Sequence, residues 1–180
     1  MSEDKEIIYK QSNHVILAQT YGRRDLVEIH DKLGMGKYRP KTYSALTQKF
    51  TNPKATSIIF STGNITSMGC SSYYGAMYVL LKLKRELGLK FINIKLSNIV
   101  VGFSIKHLGN LDLKLFYEKN QHFCTFDVEV FPCLTFNIPN TKIKANLFAT
   151  GNVVLAGCRS HDQIKDSINK VVEKVKEVHK

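Results

Sequence analysis

One thirteen-residue stretch occurs twice in this chain, first as Ile58-Ile59-Phe60-Ser61-Thr62-Gly63-Asn64-Ile65-Thr66-Ser67-Met68-Gly69-Cys70 and again as Asn146-Leu147-Phe148-Ala149-Thr150-Gly151-Asn152-Val153-Val154-Leu155-Ala156-Gly157-Cys158. Six of the thirteen positions are identical, and the copies lie 88 residues apart, about half of the 180-residue chain. Each copy reads as strand, tight turn, strand, because a β-forming run is broken by Thr-Gly-Asn, whose Gly and Asn tolerate the positive φ of a hairpin. Ser12-Asn13-His14-Val15 matches Ser97-Asn98-Ile99-Val100 at a spacing of 85, and Tyr43-Ser44 matches Phe131-Pro132 at 88. The simplest account is a duplication with halves at about 7–90 and 91–180, and a three-residue insertion between 101 and 130.

The pattern of each half is strand, helix, strands, helix. In the first, residues 7–20 read as a strand. Asp25 to Leu33 follows as a short helix on Leu26, Ile29 and Leu33, then come a strand from Tyr43 to Phe50 and the first hairpin. A long helix over Ser72 to Leu87 carries the stripe Ala76, Val79, Leu80, Leu83 and Leu87, with Gly88 as its stop. In the second half, Ile92–Ile105 and Glu129–Ile138 read as strands, and 106–124 carries only a weakened helix signal. Ser160 with Gln163 opens a last helix to about Val178 as a capping box.

Alternation in the hairpins puts Ile59, Ile65, Leu147, Val153 and Leu155 on one face and Ile58, Phe60, Met68, Phe148 and Val154 on the other. Both faces are apolar, yet one long and one short helix per half can cover only one. The second face therefore calls for a partner: a nucleic-acid groove, another subunit, or a further piece of this chain.

Lys and Arg number 26 against 15 Asp and Glu, a net charge of +11. It is spread evenly, with 13 basic and 7 acidic residues in 1–89 and 13 against 8 in the remainder. This balance suits a polyanion such as nucleic acid, or a well-solvated basic surface. Cys70, Cys124, Cys133 and Cys158 form neither a CxxC pair nor a ligand cluster, which implies buried thiols and no metal or cofactor. No phosphate loop, nucleophile elbow or paired carboxylates suggest an enzyme. Without a long apolar run, and with a charged start at Met1-Ser2-Glu3-Asp4-Lys5-Glu6, a soluble intracellular protein is expected, with no membrane partner.

The ordered set of Asn13, Tyr38-Arg39-Pro40-Lys41, Asn52-Pro53-Lys54 and both hairpins, on the duplicated spacing and over nearly the whole chain, resembles the core of the TATA-box-binding protein family. The resemblance implies an α+β saddle. In it, two pseudo-twofold-related repeats share one curved antiparallel sheet, with helices on the convex face and the concave face free for DNA. The implied function is a nuclear initiation factor without enzymatic activity. It binds and bends TATA-like, A/T-rich promoter DNA through the minor groove as a monomer, can self-associate without DNA, and recruits the preinitiation machinery.

Carried over by position, Tyr43, Phe60, Phe131 and Phe148 are the intercalating wedges. The minor-groove contacts are Asn13, Val15, Ile58, Thr66, Met68, Asn98, Val100, Pro132, Asn146, Val154 and Ala156, with Lys49 on phosphate. Asp127, Glu129 and Val130 match the loop that receives TFIIB. Lys82 lies in the region used by TFIIA, and factors of RNA polymerase complexes are further partners implied.

Several positions depart from the family. Met68 and Ala156 stand where threonine is usual and Asn146 where leucine is. Asn64, Asn137 and Asn152 replace basic residues, and Thr42 departs likewise. The alternative is accordingly an interaction scaffold or specialised paralogue with weak or altered sequence preference.

Overall fold

Local capping decides where the helices begin and end. The computed structural model describes residues 7–178, so the charged opening stretch lies outside the described residues. Asp25 Oδ1 accepts from the N–H groups of Val27 and Glu28 at 2.8 and 3.3 Å and starts α1 (Leu26–Leu33), which Gly34 closes at φ 66°. Ser72 Oγ accepts from Gly75 N–H at 3.1 Å and starts α2 (Tyr73–Leu87), closed by Gly88 at φ 62°. Asp112 starts α3 (Leu113–Lys119) by accepting from Leu115 N–H at 2.9 Å. Before α4 (His161–Val178), Ser160 Oγ accepts from Gln163 N–H at 3.2 Å while Gln163 Oε1 accepts from Arg159 N–H at 2.8 Å. The expected box thus closes one residue further back than its usual form.

The chain divides into two compact units, Ser12–Asn98 and a second of 7–11 with the described residues from Ile99 onward; the strands over 9–20 and 91–104 straddle the division, and each is described with the strands it pairs with in its own repeat. In the first, β1 (Tyr9–Thr20), β2 (Lys37–Arg39), β3 (Tyr43–Thr51), β4 (Lys54–Phe60) and β5 (Asn64–Cys70) follow the order β1-β5-β4-β3-β2. In the second, β6 (Phe91–Ser104), β7 (Cys124–Phe126), β8 (Leu134–Asn137), β9 (Lys144–Leu147) and β10 (Asn152–Cys158) follow β6-β10-β9-β8-β7. The same antiparallel order occurs twice, as a duplication requires. Hydrogen bonds also locate the insertion. Thr20 and Ile105, 85 apart, donate their N–H to the hairpin carbonyls of Gly63 and Gly151 at 3.0 and 2.8 Å. Arg24 and Leu111, 87 apart, donate likewise to Ser61 and Ala149 at 2.8 and 2.9 Å. Two of the three extra residues therefore fall in the 106–110 loop, and the third falls between Asp112 and Phe131.

In the first unit the core side of the sheet presents Ile16, Leu46, Ile59 and Ile65 to Leu26 and Ile29 of α1 and to Ala76, Val79, Leu80 and Leu83 of α2, all buried. In the second, Leu134, Leu147, Val153 and Leu155 are buried with Ile164, Ile168, Val171 and Val175 of α4, and Phe116 of α3 meets Phe136 of β8 edge to face at 5.6 Å. Removing each of these large side chains from water is worth roughly 1.5–3 kcal/mol, enough to fix which sheet face turns inward.

Two expectations are corrected, and two short strands are added. The strand expected over Glu129–Ile138 is only Leu134–Asn137, because Pro132 lacks a donor and Asp127 Oδ1 captures the N–H groups of Glu129 and Val130 at 3.1 and 3.4 Å in a turn. The edge strands β2 and β7, three residues each, are too short to show periodicity. In Thr-Gly-Asn only the glycines take positive φ, 87° at Gly63 and 76° at Gly151, while Asn64 and Asn152 already begin strands.

A Cβ on Gly63 would sit 2.7 Å from Gly22 O and 2.7 Å from Thr20 Oγ1, whereas one on Gly88 would meet nothing within 4 Å. Gly63→Ala should therefore destabilise by about 3 kcal/mol, strain and backbone clash together, against about 1 kcal/mol for Gly88→Ala. Urea unfolding of the two variants measures the difference.

Candidate nucleic-acid interface

On the side of each sheet away from its helices, side chains lie in rows across the strands. In the first unit one row is Leu17, Thr66, Ile58 and Thr47, and the next is Met68, Thr56 and Lys49. In the second unit the equivalent rows are Gly102, Val154, Asn146 and Thr135, then Ala156, Lys144 and Asn137. Ile58, Phe60, Thr66 and Met68 are all partly exposed, as are Asn146, Phe148, Val154 and Ala156, while Leu17 is 40% exposed. Val15 and Val100 are likewise partly exposed, on β1 and β6. Partial exposure of a sheet face this apolar marks a contact surface.

The aromatic positions stand at the ends of these rows. Phe60 closes β4 and Phe148 follows β9, each accepting the N–H of its hairpin glycine at 2.9 Å. Phe131, 52% exposed and followed by exposed Pro132, meets Phe148 edge to face with ring centroids 6.2 Å apart. Tyr43, 47% exposed, starts β3 opposite Arg39 of β2. Phe131 and Phe148 thus form one aromatic pair in the second unit.

Asn13 is built into a bulge. Opposite His14 and Ile16 of β1 lie Cys70 and Ser67, so β5 carries an extra residue there, and Gly69 takes φ 97°. The Gly69 N–H freed by the bulge donates to Asn13 Oδ1 at 2.7 Å. With its oxygen held, Asn13 turns its amino group, a donor, away from that bond. An equivalent irregularity carries Gly157 at φ 107° in β10, and Asn98 is partly exposed on β6.

Asn146 is fixed in the same sense, since Thr135 Oγ1 donates to its Oδ1 at 3.0 Å. Asn137, expected as a lost cation, donates to Phe123 O at 3.0 Å, and exposed Lys144 beside it in the row restores a positive charge one strand inward. In the first unit Lys37 and Arg39 join Lys49 around a groove of about 340 Å³ that also includes Thr42, Tyr43 and Thr47. Lys37, Arg39, Lys144, Leu17 and Thr135 escape a sequence reading. Only the alternation of Leu17 with Val15 could have flagged one of them.

The partner positions are more constrained than their charges suggest. Asp127 caps its own turn, leaving Glu129 exposed and Val130 79% exposed at the tip. Lys82 Nζ lies 3.8 Å from Glu86 Oε1 and 5.6 Å from the centre of the Phe50 ring.

The family model of "Transcription factor TFIID (or TATA-binding protein, TBP)" matches residues 9–87 and 93–178. The chain belongs to the TATA-binding protein family. The relatives it matches are described as TATA-box-binding proteins. The chain is 27% identical to the TATA-box-binding protein of Drosophila melanogaster, covering 99% of this chain and 52% of that protein. With that of Acetabularia peniculus it shares 30% identity, covering 78% and 75%. It thus spans between about half and three quarters of these relatives. The structure of Methanococcus jannaschii TBP superposes with a TM-score of 0.80 at 24% identity, covering 94% of this chain and 98% of that one, so the fold is the TBP fold, as the resemblance implies.

The thiols of this family member are shielded. Burial pushes all four upward, Cys124 to about 11, with the nearby Thr135 and Ser167 side chains opposing the rise in part at Cys133 and Cys158. A thiol whose pKa is raised by folding contributes full stability below its unfolded pKa, and that contribution is lost as pH rises through the folded value. Urea stability should therefore fall between about pH 9 and 11, and Cys124→Ala should flatten that fall.

Proposed function

We propose that this chain binds A/T-rich, TATA-like promoter DNA from the minor-groove side and bends it. It then presents the bent complex to initiation factors in the nucleus and performs no chemistry. The observation that carries this reading is the pair of exposed Phe131 and partly exposed Phe148, centroids 6.2 Å apart, at the end of a sheet face that no helix among the described residues covers. Two half-sites, one in each repeat (7–90 and 91–180), press apolar side chains on the groove: Val15, Ile58, Thr66 and Met68 from the first, Val100, Pro132, Val154 and Ala156 from the second. Tyr43, Phe60, Phe131 and Phe148 wedge into base steps, as proteins of this mode do. Asn13 and Asn98 donate to A N3 or T O2 on the groove floor. Lys49, with Lys37, Arg39 and Lys144, supplies salt-sensitive contacts to phosphate.

Glu129 and Val130, set by the Asp127 turn, form the docking tip for a TFIIB-like factor, and Lys82 lies within the surface for a TFIIA-like one. The exposure of Val128 and Val130, 63% and 79%, favours a second reading in which this tip dominates and the chain acts mainly as an interaction scaffold.

A duplex labelled at both ends, carrying either a TATA element or a GC-rich control, separates the two readings when titrated across salt concentrations. The parent should bend the TATA duplex alone. Phe60→Ala and Phe148→Ala should abolish the bend and weaken binding about tenfold or more. Equal, unbent and steeply salt-dependent binding to both duplexes would leave only a basic surface and favour the scaffold.

A further inference from the structure

The two rows that the repeat makes equivalent differ at one chemically decisive place. Thr47 pairs with Ile58 in the first unit, and Thr135 pairs with Asn146 in the second. Ile58 asks nothing of what covers it. Asn146 does, because a primary amide carries two donor hydrogens and an acceptor oxygen, and the oxygen is already occupied by the Thr135 hydroxyl at 3.0 Å. Its cross-strand neighbour on the other side, Val154, offers no acceptor from its side chain. Asparagine is also disfavoured in a strand, so the position is not explained by β-propensity.

Covering this face with DNA removes water from the Asn146 amino group. That group then stays unsatisfied unless the covering base pair supplies an acceptor. In the minor groove A·T and T·A present only acceptors, whereas G·C adds the guanine N2 amino group, a donor that would confront the amide donor. We propose that Asn146, oriented by Thr135, is a specificity-determining residue that selects A·T at the base pair it covers in the second half-site. At the first half-site Ile58 offers no donor to reward an acceptor, so its selection is the weaker one, limited to the guanine amino group it would leave without a partner. The inference rests on the minor-groove reading above and adds to it a polarity between the halves that would orient the protein on DNA.

The test is a set of duplexes with each A·T pair of a bound TATA element changed in turn to G·C, bound by the parent, Asn146→Ile and Thr135→Val. For the parent, one position or two adjacent ones within a single half of the site should carry a penalty of about tenfold that shrinks several-fold in Asn146→Ile and less in Thr135→Val. The comparison is the ratio of G·C to A·T affinity within each protein, and urea unfolding of both variants should match the parent. Identical penalty profiles for parent and Asn146→Ile would overturn the proposal. A parental preference for G·C at an Asn146-dependent position would do the same, since it would mean that the oxygen faces the DNA. Failure of the parent to bind or bend any duplex would instead remove the minor-groove reading itself, an outcome visible before any variant is compared.

Discussion

Successive side chains of a strand leave opposite faces, and in each unit of this protein helices meet only one of them. Everything else follows from that shortage of cover. Leu46, Ile59 and Ile65, or Leu134, Leu147 and Leu155, are sealed beneath helices, while Ile58, Phe60 and Met68, or Phe148, Val154 and Ala156, stay partly exposed on the other face. A face of this kind is held in place by the hydrogen bonds of its own sheet and gains stability when an apolar surface is laid on it. The hairpin glycines set its limits. Gly63 and Gly151 turn the chain so tightly that Phe60 and Phe148 are left at the ends of their strands.

Duplication supplies two such faces, and divergence has made them unequal. The first unit has Leu17, Ile58 and Met68 where the second has Gly102, Asn146 and Ala156, so the first is bulkier and the second lower and more polar. Charge is redistributed as well, with Lys49 on β3, next to the edge strand, in one unit and Lys144 one strand further inward in the other. The aromatic positions differ in kind: Tyr43 keeps a hydroxyl that needs a polar neighbour, whereas Phe131 has an aromatic partner in Phe148. A binder built this way carries direction in its own surface.

Much of this was legible in the residues because the signals were local and repeated. The Thr-Gly-Asn turns, the Ser72 and Asp25 caps, the stripe on α2 and the alternation of Ile58, Ile59 and Phe60 each state their structure within a few positions. What stayed hidden depends on distant partners or on very short elements. The bond that orients Asn13 comes from Gly69, 56 positions away, and exists only because a bulge frees that N–H. The strands β2 and β7 hold three residues each, which left Lys37 and Arg39 without a place beside Lys49. The start of β8 was misjudged because β-formers such as Val130 and Phe131 are diverted by Pro132 and the Asp127 turn. At Asn137 the replacement of a cation is visible in the sequence, but its compensation by Lys144 requires the register.

The claim on which the account stands is that the uncovered faces read the minor groove, and inosine·cytosine substitution tests it most directly. Replacing every A·T pair of a TATA-like duplex by inosine·cytosine changes the donors, acceptors and methyl groups of the major groove but leaves the minor groove with acceptors alone. The account predicts affinity and bending close to those of the unmodified duplex. Affinity falling to that of an unrelated sequence, with the bend lost, would contradict it.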